Sequence, residues 1–129
     1  MKVARGAINE YRAVLLSNGK VLIVGGNNTA ELYDPISQSF SYTSNNMNTT
    51  RVGLTVTLLN DGKVLIVGGG TSSVEIYDAA TNSFTPLPVN MNKYRKYHAA
   101  TLLLDGTVLI TGGQSAAGTD QKSAEIFVP

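Results

Sequence analysis

The chain has 129 residues, 43% of them hydrophobic and 15% charged, with a formal net charge of +1, the make-up of one globular domain. So even a balance gives no electrostatic reason for a nucleic-acid or anionic-membrane partner. The absence of cysteine excludes a disulfide framework and a thiolate metal site, and no apolar run reaches the ~18 residues of a transmembrane helix.

The opening stretch, Met1-Lys2-Val3-Ala4-Arg5-Gly6, is interrupted by charge too early to be a signal peptide. The chain is expected in the cytoplasm if Met1 is the native start. A secreted or surface location would require a targeting segment upstream.

From Tyr11 two apolar segments are joined through Asn18-Gly19, and the second reads Lys20-Val21-Leu22-Ile23-Val24-Gly25-Gly26. Asn-Gly between apolar runs predicts a hairpin with a type I′ turn, because both residues tolerate positive φ. The same unit returns as Asp61-Gly62 to Gly68-Gly69 and as Asp105-Gly106 to Gly112-Gly113. Glycines 19, 62 and 106 repeat with a step of 43 and then 44 residues, a period that indicates stacked supersecondary units. The Val-Leu-Ile-Val run is continuous rather than alternating, so both faces of that strand are expected to be covered. The glycine pair ends the strand; without a following Lys-Ser/Thr and helix pattern it is not a phosphate cradle.

A third strand follows each pair: Ala30 to Asp34 with Glu31 and Tyr33, Val74 to Asp78 with Glu75 and Tyr77, and Ala124 to Val128 with Glu125. In the first two copies a turn and a short fourth strand with an aromatic, Phe40 or Phe84, come next. Each copy is entered through Met-x-x-x-Arg, at Met1–Arg5, Met47–Arg51 and Met91–Arg95. Four strands in about 44 residues is the length of a propeller blade.

Arg95-Lys96-Tyr97-His98, an apolar strand, Asp105-Gly106, a second apolar strand and Gly112-Gly113 resemble the kelch repeat, and the second copy adds Tyr77-Asp78 and Phe84. The resemblance covers nearly the whole chain. It implies an all-β fold of kelch-type β-propeller blades, each a four-stranded antiparallel sheet. About three blades are expected in one domain over 1–129: 1–46, 47–90 and 91–129, the last without its fourth strand. There is no Trp, and Phe40 and Phe84 take its usual place. Propellers close with four to eight blades, so the chain is expected either to form a homodimer closing a six-bladed ring or to join the missing blades of a longer chain.

The resemblance extends to galactose-oxidase-like copper enzymes, whose chemistry needs a cysteine-modified tyrosine and paired histidines. With no Cys and one His, this chain alone does not carry it. No catalytic residue, metal or cofactor is assigned, and an enzyme acting as it stands is the least favoured reading. Arg5, Arg51 and Arg95, with Glu31, Glu75 and Glu125, follow the repeat and read as structural pairs rather than an anion site. His98 reads as a motif residue near the start of an inner strand. Asn27-Asn28-Thr29 and Asn48-Thr49-Thr50 match the glycosylation pattern by chance in an Asn- and Thr-rich chain.

In an up-and-down blade the loops after the glycine pairs and the interblade segments share one rim. Variable loops on a repeated scaffold are where binding is expected. Lys93, Tyr94, Arg95, Lys96, Tyr97 and His98, with Asn27, Asn28 and Asp120, are the candidate contact residues for a protein or glycan ligand. The expected function is a non-catalytic binding module; the alternative is a scaffold fragment of a larger kelch-type enzyme.

Overall fold

In the computed structural model, which describes residues 1–6 and 10–129, the chain forms three antiparallel sheets and, among the described residues, no helix. The first contains β1 (Tyr11–Leu15), β2 (Val21–Gly25), β3 (Ala30–Asp34) and β4 (Ser39–Tyr42) in sequence order. The second repeats that order with β5 (Leu54–Leu58), β6 (Val64–Gly68), β7 (Thr71–Asp78) and β8 (Ser83–Arg95). The third has three strands, β9 (Ala99–Leu102), β10 (Val108–Thr111) and β11 (Ala124–Phe127). The first strands of successive sheets are neighbours, β1 beside β5 and β5 beside β9. The sheets therefore radiate from that side as blades, giving an all-β partial propeller.

Two apolar layers hold the blades together. Between sheets one and two lie Leu16, Leu22, Val24 and Leu32 against Leu54, Val64, Ile66, Tyr77 and Phe84. Between sheets two and three lie Leu59, Leu65, Val67, Val74 and Met91 against Val108 and Ile110. Because β6 contributes alternate residues to both layers, all five of its residues are buried. In β10 burial alternates, with Val108 and Ile110 inside and Leu109 and Thr111 only half covered, since no sheet lies beyond it.

The first two blades are each finished by an aromatic pair. Tyr77 and Phe84 face each other across β7 and β8 with ring centroids 5.0 Å apart and tilted by 50°. The Tyr77 hydroxyl donates to Asn82 Oδ1 at 2.8 Å, and burial, then the charge of Asp78, pushes its pKa up to about 12. Tyr33 and Phe40 repeat the pair, also at 5.0 Å, on the outer face of sheet one.

Two local expectations are corrected. The β1–β2, β5–β6 and β9–β10 turns are not type I′, because only the glycine has positive φ, at 84°, 83° and 87° for Gly19, Gly62 and Gly106. Leu16 N–H donates to Lys20 O at 2.8 Å, leaving a three-residue loop, and the Asn18 side chain accepts the Lys20 amide at 3.0 Å. Asp61 and Asp105 accept the amides of Lys63 and Thr107 in the same way. The preceding Asn or Asp thus caps the loop rather than adopting positive φ itself, the chemistry of a three-residue hairpin closed by glycine. Second, the fourth strand of sheet two is not short. β8 runs from Ser83 to Arg95, through the expected blade limit at 90, because β7 begins early at Thr71 and pairs with it as far as Arg95 through register shifts.

The two aromatic pairs differ in burial, and that generates a stability prediction. Phe84 is 4% exposed inside an interblade layer, whereas Phe40 is half-buried on a free face. Phe84→Ala should cost ~3–5 kcal/mol and Phe40→Ala clearly less, read by urea denaturation. Equal costs would contradict the assignment of the first layer.

Candidate functional site

Every blade is closed on one rim by an arginine. Arg51 Nη1 donates to the carbonyls of Gly68 at 2.6 Å and Ser73 at 3.1 Å. Its Nη2 donates to Ser73 Oγ at 2.8 Å and Glu75 Oε1 at 2.9 Å, and its Nε to the same carboxylate oxygen at 3.2 Å. Arg95 repeats the set on Gly112, Ser123 and Glu125. Arg5 does so less completely on Gly25, Thr29 and Glu31. The second carboxylate oxygen accepts the backbone N–H of Asn48 at 2.9 Å or Asn92 at 2.7 Å. Both Arg51 and Arg95 use all five guanidinium donors, so neither has one left for a ligand. The hydroxyls of Ser73 and Ser123, two residues before the glutamates, complete the cage; their recurrence at that spacing is a signal legible in the sequence.

This geometry fixes the rims. The hairpin turns of residues 17–19, 61–62 and 105–106 lie at one end of the sheets. The β2–β3 loop and the segments entering each blade lie at the other, joined by Gly26 N–H to Arg51 O, Met47 N–H to Asn28 O and Gly69 N–H to Arg95 O. On that loop rim the β10–β11 connection is the longest. It crosses the blade entrance through a two-way bridge between Lys96 and Gln114. A hairpin closes it, with Ser115 N–H donating to Thr119 O at 2.9 Å. Gln121 Nε2 donates to Tyr94 O at 2.7 Å, tying the loop to β8.

Between this loop and the end of β8 is an open cleft of ~420 Å³, lined by Lys93, Tyr94, Ser115, Thr119, Asp120 and Gln121 among others. Lys93, Tyr94 and Asp120 are therefore brought together, and Gln121 is a member that composition alone did not single out. Lys96 lies nearby with its ammonium 5.6 Å from the exposed Tyr97 ring. Tyr97 has φ 56°, held by its amide donating to Gly53 O at 2.8 Å.

Asn27 and Asn28 stand apart. Asn27 Oδ1 accepts from the amide and the hydroxyl of Thr29, ordering the β2–β3 loop of the first blade, and neither asparagine lines the cleft. Arg95 and His98 are also removed from the candidate contact surface. Arg95 is enclosed in its cage and fully buried, and His98 is 6% exposed.

His98 shares a 2.8 Å hydrogen bond with the Thr55 hydroxyl through Nε2, while Nδ1 is buried without a partner. Desolvation, then the positive charges of Arg95 and Arg12, push its pKa down to about 4. The ring fits against Gly68, where φ is +64° and an added Cβ would come within 2.6 Å of His98 Cε1. It is a neutral packing residue between blades.

No protein-family model matches the chain, and no curated protein matches it. Among solved structures, 98% of the chain superposes on a novel fungal alcohol oxidase of the AA5 family, with catalytic diversity, in complex with copper. The TM-score is 0.72 at 17% identity, and the chain spans 30% of that oxidase's length. At this identity the likeness establishes the fold alone, an all-β partial β-propeller. Copper belongs to the oxidase. Among the described residues here no three His, Asp or Glu side chains converge on one point, and the lone histidine is engaged with Thr55, so these residues do not fit a copper ligand set.

Two predictions follow from the buried groups. Removing one partner of the Arg51–Glu75 pair, by Arg51→Ala or Glu75→Ala, should cost ~3–5 kcal/mol by leaving the other charge buried and unpaired. The Arg51→Ala/Glu75→Ala double change should cost less than the two single changes together, in a double-mutant cycle by urea denaturation. His98 is neutral when folded and takes up a proton when unfolded, between about 4 and its ordinary ~6.5. Its stabilisation is complete above that upper value and is lost as pH falls through the window, on the order of 3 kcal/mol. Thermal melts between pH 7 and pH 4.5 should fall more steeply for the native chain than for His98→Gln; parallel slopes would contradict the assignment.

Proposed function

We propose that the chain is a kelch-type set of propeller blades acting as a non-catalytic binding module, with the cleft beside Tyr94 as its contact surface. The observation that carries this reading is the β10–β11 connection. It is the longest and most built loop on the rim, and it meets Lys93, Tyr94 and Asp120 around one depression. A half-buried aromatic ring flanked by a cation, a carboxylate and an amide suits a sugar or polar peptide. The ring gives it a stacking face, and the polar groups bond its hydroxyls or amides.

A second reading is that the chain is scaffold within a larger kelch-type enzyme whose catalytic groups lie elsewhere. Its support is the superposition of 98% of this chain on only 30% of an oxidase. The free faces also need cover in either case. Leu15 is 63% exposed on the first blade and Ile126 52% on the third. Met1 is 60% exposed, although Met47 and Met91 at the same repeat position are buried. A second copy, completing a six-bladed ring, is the partner we propose for these faces; light scattering should then report twice the 13.6 kDa of one chain.

A panel of neutral oligosaccharides and acidic peptides, titrated calorimetrically, separates the two readings. In the first, a binder is found, Tyr94→Ala weakens it ~10-fold with an unchanged melting temperature, and Lys63→Ala on the opposite rim leaves it intact. Absence of any binder, or equal loss in both variants, would overturn the first reading and leave the scaffold reading standing.

A further inference from the structure

The segment Lys93-Tyr94-Arg95-Lys96-Tyr97 holds two Lys-Tyr pairs, one on each side of a caged arginine. The first pair lines the rim cleft, and the second lies outside that lining. The backbone of both pairs is tied down. Gln121 Nε2 donates to Tyr94 O and Gly69 N–H to Arg95 O. Lys96 and Gln114 exchange two backbone bonds, and Tyr97 N–H donates to Gly53 O.

Tyr97 is a residue that packing alone does not explain. It stands two residues after its cage arginine, where the second blade has Gly53 two residues after Arg51. Both have positive φ, 73° at Gly53 and 56° at Tyr97. Glycine takes that conformation freely, whereas a bulky side chain is strained there. Burial does not offset the strain, because Tyr97 is 43% exposed. The ring rests against Gly53, where an added Cβ would come within 2.5 Å of its Cδ1.

The two lysines are uncommitted. On the turn rim Lys20 and Lys63 approach Asp34 and Asp78 at 3.6 and 3.9 Å. Among the described residues no carboxylate forms an ion pair with Lys93 or Lys96. The Lys96 ammonium is 5.6 Å from the Tyr97 ring centroid, near the ~6 Å outer limit of a cation–π contact. Each pair therefore presents one ring and one free cation.

We propose that Lys96 and Tyr97 form a second subsite continuing the Tyr94 cleft, and that the two subsites take successive units of an acidic oligosaccharide of uronate type. The inference rests on the rim cleft being the contact surface. The Cα atoms of the two tyrosines are at most ~11 Å apart, so one short chain can reach both. A uronate unit brings a C–H face for an aromatic ring and a carboxylate for an ammonium. Ser115, Thr119, Asp120 and Gln121 at the first subsite suit its hydroxyls. An acidic peptide has the carboxylates without the face. A deoxynucleotide chain offers Asp120 no row of hydroxyls and meets its negative charge instead. With the backbone already fixed, binding orders few groups.

The test is calorimetric titration of the full chain with tetragalacturonate, its uncharged methyl ester, cellotetraose, hexaglutamate and oligothymidylate. Tetragalacturonate should bind, less tightly as salt rises, and the ester much more weakly. Lys96→Gln, Tyr97→Ala and Tyr97→Gly should each weaken tetragalacturonate ~10-fold, and Tyr97→Phe should not. Tyr97→Gly should nevertheless melt above Tyr97→Ala, because glycine removes the strain; loss of the ring is thereby separated from loss of the fold. The proposal is overturned if tetragalacturonate does not bind, if any of the other four probes binds as tightly, or if Tyr97→Gly leaves its affinity unchanged. Should Tyr94→Ala weaken a probe that Tyr97→Gly does not, the second subsite fails and the rim cleft stands. If no probe binds, both fail.

Discussion

The constraint on which the rest depends is that the central strand of each blade is apolar on both faces. A Val-Leu-Ile-Val strand in a sheet with one wet face leaves apolar surface in water, so a blade gains stability from each sheet that covers it. β6 has one on each face and is buried along its whole length. β2 and β10 each have one sheet beside them. The consequences appear where the sandwich ends: the ring pair of blade one is half covered, Leu109 and Thr111 lose the burial of their counterparts in β6, and Met1 has no neighbour to pack into.

The arginine cages solve the complementary problem at the loop rim. There each chain segment leaves one sheet and enters the next, and backbone carbonyls at the strand ends have no ladder partner. One guanidinium bonds two such carbonyls, a serine hydroxyl and a glutamate, while the glutamate fixes the entering segment through an amide. The charges are buried, so their pairing contributes less net stability than the bond count suggests. Their stronger effect is on geometry, because five donors in a rigid plane admit one arrangement of the strand ends. The neutral His98 beside Gly68 is consistent with a junction that has no spare carboxylate to hold another positive charge.

Much of the fold was legible because repetition averages out local ambiguity. Three copies of the glycine-terminated strand located the sheets, and continuity of the apolar run implied stacking. What escaped depended on contacts between copies or on backbone detail. Asn18-Gly19 suits a two-residue turn by composition, but the side-chain cap on Lys20 selects a three-residue loop. β8 outruns its expected end because an early start of β7 offers it a partner, which its own Pro-containing sequence does not announce. Arg95 and His98 stood both among the repeat's structural residues and among the contact candidates, and the arrangement of Glu125, Ser123 and Thr55 around them supports the first reading. Lys93, Tyr94 and Asp120 lie together on the loop rim, as the strand order implied, but Gln121 joins them only because the loop folds back on Tyr94.

On a repeated scaffold, the informative positions are those where one copy departs from the others. Blade three departs twice, and the two departures lie at opposite ends of the same sheet. Its β10–β11 loop is lengthened and internally bonded on the rim where the cages already fix the backbone, a rigid support on which a contact surface can be held in shape. At the other end it has exchanged a lysine and an aspartate for Thr107 and Val128.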